Sequence, residues 1–376
     1  MTPSPFEIHV PDETLADLHE RLARTRWPPG ADDYLKELVA WWRDGFDWRS
    51  QEAALNAFPQ FTAWVDGVRL HFVHVRGRAG SAVPLVLTHG WPSTFYEYLK
   101  LVPLLAGDFA LVVPSLPGYG FSDALPPGEF RRVPELWVKL MTEVLGYERF
   151  GAYGGDIGAM VANRLALEYP DRLLGIATSF PAEPYVGPGA PPLSRAEQEL
   201  VESRRLAVES GRDLYTDVTR THGAQLAVAL NDSPAGLAAW LVRFWRDWSD
   251  CDGDVERRFT KEELLTTITL YWVTATIGPS FLPYGDWALG SAGRPVVWQD
   301  RPDVPTGIDS KPLARDERIE VPASIVLFSL VRTPREWAER AYTDIRRFRE
   351  MPSGGHFGAM EEPEALAEEL RAFFVC

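Results

Sequence analysis

The sequence predicts an α/β fold: a mostly parallel sheet with helices on both faces, interrupted by a helical lid and preceded by an extension of helices and strands. Three observations carry this. First, from residue 84 short apolar runs (84–88, 110–113, 150–153 and 174–177) alternate with helix-forming stretches. Runs of that kind suit strands buried on both faces, and strand–helix alternation calls for parallel neighbours. Second, the alternation disappears between about 185 and 300. There 200–206, 237–245 and 262–272 read as helices, between joints rich in proline (Pro184, Pro188, Pro191, Pro192; Pro295, Pro302, Pro305). Third, sheet logic resumes at 323–328, with one helix from Pro334 and another after Glu361.

Ahead of the sheet, 11–25 is amphipathic with an acidic start (Asp12, Leu15, Leu18, Leu22) and is stopped by Trp27-Pro28-Pro29-Gly30. A second helix carries Tyr34, Leu38, Trp41 and Trp42, and a third around 51–56 stops before Pro59. Residues 61–65 and 68–75 read as strands joined by an Asp66-Gly67 turn. His71 and His74 alternate there with apolar residues and are expected to be satisfied or exposed strand histidines rather than ligands. The resulting division is an extension over 1–80, core over 81–184, lid over 185–304 and core again over 305–376.

The 376 residues are 45% hydrophobic with 14 Trp, 19 Phe and 12 Tyr, enough for a large core. A net charge of −15 without a Lys/Arg cluster argues against nucleic acid or an anionic membrane as partner. Two cysteines, Cys251 and Cys376, make no framework, which fits a reducing compartment. Residues 1–7 show no signal-peptide pattern, and no run approaches the ~18 apolar residues of a membrane span. A cytoplasmic protein without metal or other cofactor is expected.

The chemistry centres on Gly154-Gly155-Asp156-Ile157-Gly158, which follows an apolar run and precedes a helix. Small residues two before and two after one reactive side chain mark a nucleophile elbow, a sharp strand-to-helix turn that lifts that side chain above the sheet. A Cβ at either flanking position would clash with the turn. With Asp in the raised position, attack on carbon makes an alkyl ester rather than an acyl-serine. The competing reading is a glycine-rich turn with an Asp cap. His89-Gly90-Trp91-Pro92 follows the first core strand, and its Trp91 N–H together with that of Ile157 would form an oxyanion hole. The loop 114–122 has a shaping role at a strand's C-terminal end. Ser353-Gly354-Gly355-His356-Phe357 completes a nucleophile-then-histidine order, with His356 as the general base that activates water.

Together these stretches resemble the microsomal-type epoxide hydrolases of the α/β-hydrolase superfamily over nearly the whole chain. The similar stretches include Phe46-Asp47-Trp48-Arg49, His89-Gly90-Trp91-Pro92, Pro117-Gly118-Tyr119-Gly120-Phe121-Ser122 and the elbow. Leu230-Asn231-Asp232-Ser233-Pro234, Tyr271-Trp272 and Gly354-Gly355-His356-Phe357 with Glu361-Glu362-Pro363 belong to the same set. The resemblance implies an α/β-hydrolase fold. It also implies an epoxide hydrolase that forms a vicinal diol through an aspartyl ester, with Asp156 and His356 as catalytic residues. By the family's spacing, the two lid tyrosines that hydrogen-bond the departing oxygen are Tyr215 and Tyr284. These two, with Trp91 and Ile157, would also contact substrate. Phenols suit the task, because an alkoxide is too basic to leave unaided.

Two positions depart from the family pattern. Ile157 replaces the usual Trp after the nucleophile, where only the backbone N–H is needed. Ser329 occupies the place of the charge-relay acid, so the relay is expected to be weakened. Glu183, after the strand at 174–177, is the substitute acid to weigh against an ordinary exposed loop Glu beside Pro184. The lid tryptophans Trp240, Trp245, Trp248 and Trp272 suggest walls for a bulky, apolar, aromatic epoxide. By analogy with soluble bacterial relatives, a biosynthetic epoxide is expected. The rival readings are a haloalkane dehalogenase-like hydrolase and a non-hydrolytic member that binds or cyclises its ligand. The expected partner is the small-molecule substrate, with no nucleic acid and no membrane; homodimerisation is left open.

Overall fold

In the computed structural model, residues 2–77, 82–210, 214–284, 312–329 and 332–375 are described. The lid boundary at 304 and the joint at Pro295, Pro302 and Pro305 lie outside them. A short strand β1 (Ser4–Phe6) opens the chain, followed by α1 (Asp12–Ala23), α2 (Asp33–Asp44) and α3 (Trp48–Asn56). The side chains of Asp32 and Asp47 cap α2 and α3 by accepting from Tyr34 N and Ser50 N, supplying acceptors that the first helical turn lacks. Strands β2 (Gln60–Val65) and β3 (Val68–Val75) form the expected hairpin.

The core then runs β4 (Val83–Thr88), α4 (Leu101–Leu105), β5 (Phe109–Pro114), α5 (Val133–Lys139), β6 (Phe150–Gly154), α6 (Asp156–Glu168) and β7 (Leu173–Thr178). Among the described residues four long helices follow: α7 (Arg195–Glu209), α8 (Leu214–Asp232), α9 (Pro234–Trp248) and α10 (Lys261–Thr274). The chain closes with β8 (Ala323–Leu327), α11 (Arg335–Glu339), β9 (Ile345–Glu350), α12 (Gly358–Glu361) and α13 (Pro363–Phe374).

Among the described residues the strands make one nine-stranded sheet, ordered β1-β2-β3-β5-β4-β6-β7-β8-β9. The first three strands and the β3–β5 junction are antiparallel, and all pairs from β5 to β9 are parallel. Every residue of β5 and β6 is buried, as expected for central strands covered on both faces. Sequence periodicity misses β1 and β9. The sequence of β9, Ile-Arg-Arg-Phe-Arg-Glu, carries the charge typical of an edge strand and has no apolar run to betray it. His71 is fully buried, with its ring nitrogens satisfied by Ser115 Oγ and Gln60 Oε1, both at 2.9 Å.

The extension reaches the inserted helices directly. Trp42 donates its ring N–H to Thr269 Oγ1 (3.0 Å), Arg246 pairs with Asp32 (2.8 Å), and Arg21 pairs with Asp232 (2.7 Å). Among the described residues no helix is long and apolar enough to cross a membrane.

Candidate active site

Strand β6 ends at Gly154 and α6 begins at Asp156, leaving one residue for the turn. Asp156 takes the strain in the left-handed region, with φ +50°. A Cβ on Gly154 would stand 2.1 Å from the Gly158 carbonyl carbon, and one on Gly158 would stand 1.7 Å from Thr88 O. Only glycine fits either place, whereas a Cβ on Gly155 would meet nothing within 4 Å. The turn presents Asp156 at the C-terminal edge of the central strands, and Asp156 Oδ1 accepts a 2.8 Å hydrogen bond from Trp91 N. Gly90 is required by the same carboxylate, since a Cβ there would lie 2.3 Å from Asp156 Oδ1. The Ile157 amide follows at the open start of α6, where helical N–H groups lack an intrahelical acceptor.

His89 supports this turn rather than joining it. Its Nδ1 meets Gly90 O (3.0 Å) and its Nε2 accepts from Leu116 N (3.1 Å), so one neutral tautomer ties two strand ends together. Burial depresses its pKa to about 4. Behind the same turn Glu97 is buried, interacting with Ser93 and the Gly90 backbone, and burial pushes its carboxyl up to about 8.

His356 arrives from the other end of the chain, with Nε2 3.5 Å from Asp156 Oδ2. Its ring lies tilted against Trp248 (centroids 4.8 Å) and edge-on to Phe180 (5.5 Å). Burial lowers the imidazole pKa, opposed by the Asp156 charge and a hydrogen bond to the Trp91 backbone. A neutral imidazole can accept a proton from water, which is the requirement for a general base.

Tyr215 and Tyr284, both far along the chain from Trp91, converge on the Trp91 ring. Tyr215 stacks on it at 5.7 Å with planes 8° apart, and Tyr284 meets it edge-on at 5.8 Å. The two tyrosine rings are 6.0 Å from each other, and both are buried. The fold thus gathers Trp91, Asp156, Ile157, Tyr215, Tyr284 and His356 into one place.

Two side chains, Ser329 and Glu183, sit elsewhere than their sequence suggests. Ser329 turns to the backbone, donating from Oγ to Gly354 O (2.6 Å). Glu183 is buried instead of exposed. Arg204 holds both of its carboxylate oxygens (2.7 and 2.8 Å) and Trp337 donates to one of them (3.2 Å), so it locks α7 to the core. Among the described residues no relay carboxylate meets the His356 ring; the carboxylate beside it is Asp156 itself. Of the four lid tryptophans, Trp248 borders His356. Trp240 meets Phe244, Trp245 stacks on Phe357 (4.1 Å), and Trp272 lies under Arg21. Their helical positions point them to different packing layers, a distinction that composition cannot supply.

Comparison with known proteins adds the following. Residues 3–98 match the family described as epoxide hydrolase N terminus, and residues 83–227 match the alpha/beta hydrolase fold. Epoxide hydrolase 1 of Sus scrofa is 31% identical, with 98% of this chain and 88% of that protein covered. Juvenile hormone epoxide hydrolase 1 of Ctenocephalides felis is 29% identical, covering 97% and 84%. The structure of Aspergillus niger epoxide hydrolase superimposes with a TM-score of 0.79 at 28% identity, over 99% of this chain and 96% of that one.

Proposed function

The chain belongs to the microsomal-type epoxide hydrolase family of the α/β-hydrolase superfamily, and on that premise we propose that it forms vicinal diols in two steps through an ester on Asp156. In the first step an Asp156 carboxylate oxygen attacks an epoxide carbon and the ring C–O bond breaks. Tyr215 and Tyr284 donate hydrogen bonds to the departing oxygen and supply its proton. In the second step His356 removes a proton from water, whose oxygen adds to the ester carbonyl. The tetrahedral oxyanion is held by the Trp91 and Ile157 N–H groups. Its collapse breaks the acyl C–O bond; the leaving alkoxide takes the proton held by His356, and the proton left on the new carboxyl makes good the one the tyrosines gave up, which frees the diol and restores the carboxylate.

The observation that carries this reading is the setting of Asp156. It stands on strained backbone with one oxygen held by Trp91 N at 2.8 Å and the other 3.5 Å from His356 Nε2. The rings of Phe244, Trp248 and Phe281 packed against Trp91, whose amide holds Asp156, favour a bulky, apolar substrate with aromatic character. Turnover in ¹⁸O-water provides the test. Because water attacks the ester carbonyl, many turnovers should label the Asp156 carboxylate as well as the diol. Label confined to the diol would mean direct attack by water and would end the covalent reading.

A further inference from the structure

The turn that carries His356 is held by its backbone. Four successive amides each find an acceptor: Gly354 N on Asp250 Oδ2 (3.0 Å), Gly355 N on Glu361 Oε2 (2.9 Å), His356 N on Trp248 O (2.8 Å) and Phe357 N on Glu361 Oε1 (3.1 Å). Glu361 therefore grips the amides on both sides of the histidine. Its Oε2 also accepts from Asp250 N (2.9 Å), just beyond α9, so one carboxylate joins the histidine turn to the lid. The Glu361 side chain is fully buried. Burial raises its pKa, and the three amides together with the Arg258 charge oppose that shift. Arg258 spans the arrangement, bonded to Asp250 (2.7 Å) and Glu362 (2.9 Å), with Nε 3.9 Å from Glu361. The close approach has a further requirement. A Cβ on Gly355 would lie 2.4 Å from Trp248 O, so glycine is needed for the turn to touch the lid.

A relay acid normally orients the catalytic imidazole by binding its far nitrogen, and here Ser329 is engaged with Gly354 O instead. We infer that Glu361 is a positioning residue for the general base: by holding both amides that flank His356, and anchoring them to the lid at Asp250, it aims the imidazole through its backbone. A carboxylate is suited to this because it offers two acceptor oxygens and no donor. The inference rests on the two-step reading, in which His356 serves ester hydrolysis and not ester formation.

Rapid-quench measurement of both half-reactions tests it, with the Asp156 ester followed by mass spectrometry and styrene oxide as the probe. Glu361→Gln puts an NH2 donor opposite an amide N–H. It should leave ester formation unchanged while slowing ester hydrolysis by up to about 10²-fold, the penalty of an ångström-scale misplacement, so that the ester accumulates. Glu361→Asp, which keeps the charge, should restore part of the hydrolysis rate and gives a second reading should the Gln variant not fold. In a His356→Gln background, Glu361→Gln should cause no further loss, because the residue acts through the histidine. Native-rate hydrolysis in Glu361→Gln, or equal slowing of both steps, would overturn the inference. If His356→Gln accumulates no ester at all, the two-step reading itself has failed, and the positioning role falls with it.

Discussion

The two sides of the site are built in opposite ways. Asp156 is placed by its neighbours in the chain and by one adjacent loop: the glycines at 154 and 158, the helix start, and the Gly90–Trp91 turn. His356 is placed by segments more than a hundred residues away, at Trp248 and Asp250, and by Glu361. The nucleophile's geometry is thus a property of the sheet and elbow, whereas the base's geometry depends on the lid being in place. Ester formation should therefore tolerate lid disturbance better than ester hydrolysis does, apart from changes to the tyrosines that the lid supplies.

The strongest challenge to this contrast is Asp156→Asn, which should abolish ester formation while thermal unfolding stays close to native. Persistence of the ester would remove the nucleophile side from the comparison altogether. Next come Tyr215→Phe and Tyr284→Phe. Each should slow ester formation by roughly 10²–10⁴, the range of general acid catalysis, and affect hydrolysis less; a native alkylation rate in either would mean that tyrosine is misassigned. A smaller effect, on the base side only, is expected of Ser329→Glu. A carboxylate there should raise ester hydrolysis severalfold in single-turnover assays, and an unchanged rate would show that charge at the end of β8 does not reach the imidazole.

Glu183 and Glu361 are both buried carboxylates, yet only the second touches the histidine turn. Glu183→Gln should accordingly leave both half-reactions alone and lower stability by about 2 kcal/mol, since Arg204 loses a charged hydrogen-bond partner. Ester accumulation in that variant would relocate the relay acid to Glu183.

The smallest effect concerns pH. Glu97, buried behind the Gly90 turn, has its carboxyl pushed up to about 8, mainly by burial and also by the Asp156 charge. Its unfolded value is about 4.3, so between the two the folded protein holds a proton that the unfolded chain has lost. Glu97 thus contributes stability at low pH that is lost as pH rises through about 8. Thermal unfolding across that window should become less pH-dependent in Glu97→Gln, and an unaltered slope would assign the dependence to another group.

The sequence alone determined the elements that follow from local rules. Continuous apolar strands and the small residues around Asp156 are legible as patterns, and Gly154 has to clear Gly158 four residues on; Gly158 and Gly90 clear Thr88 and Asp156, which only the fold brings close. The lid tyrosines were reachable only through the spacing of relatives, since nothing local separates Tyr215 and Tyr284 from the other ten. Tertiary structure decided the rest. Glu183 beside Pro184 reads as an exposed loop residue, but Arg204 and Trp337 bury it, and Glu361 takes one of its three amide donors from Asp250, far back along the chain. The charged strand β9 exists because β8 offers it an edge, and Trp245 and Trp272 are taken up by Phe357 and Arg21 because their helices pack that way. A carboxylate can be buried only where N–H groups or a cation come to meet it, and for Glu183 and Glu361 that set is completed by groups which only the fold brings near, Trp337 and Asp250.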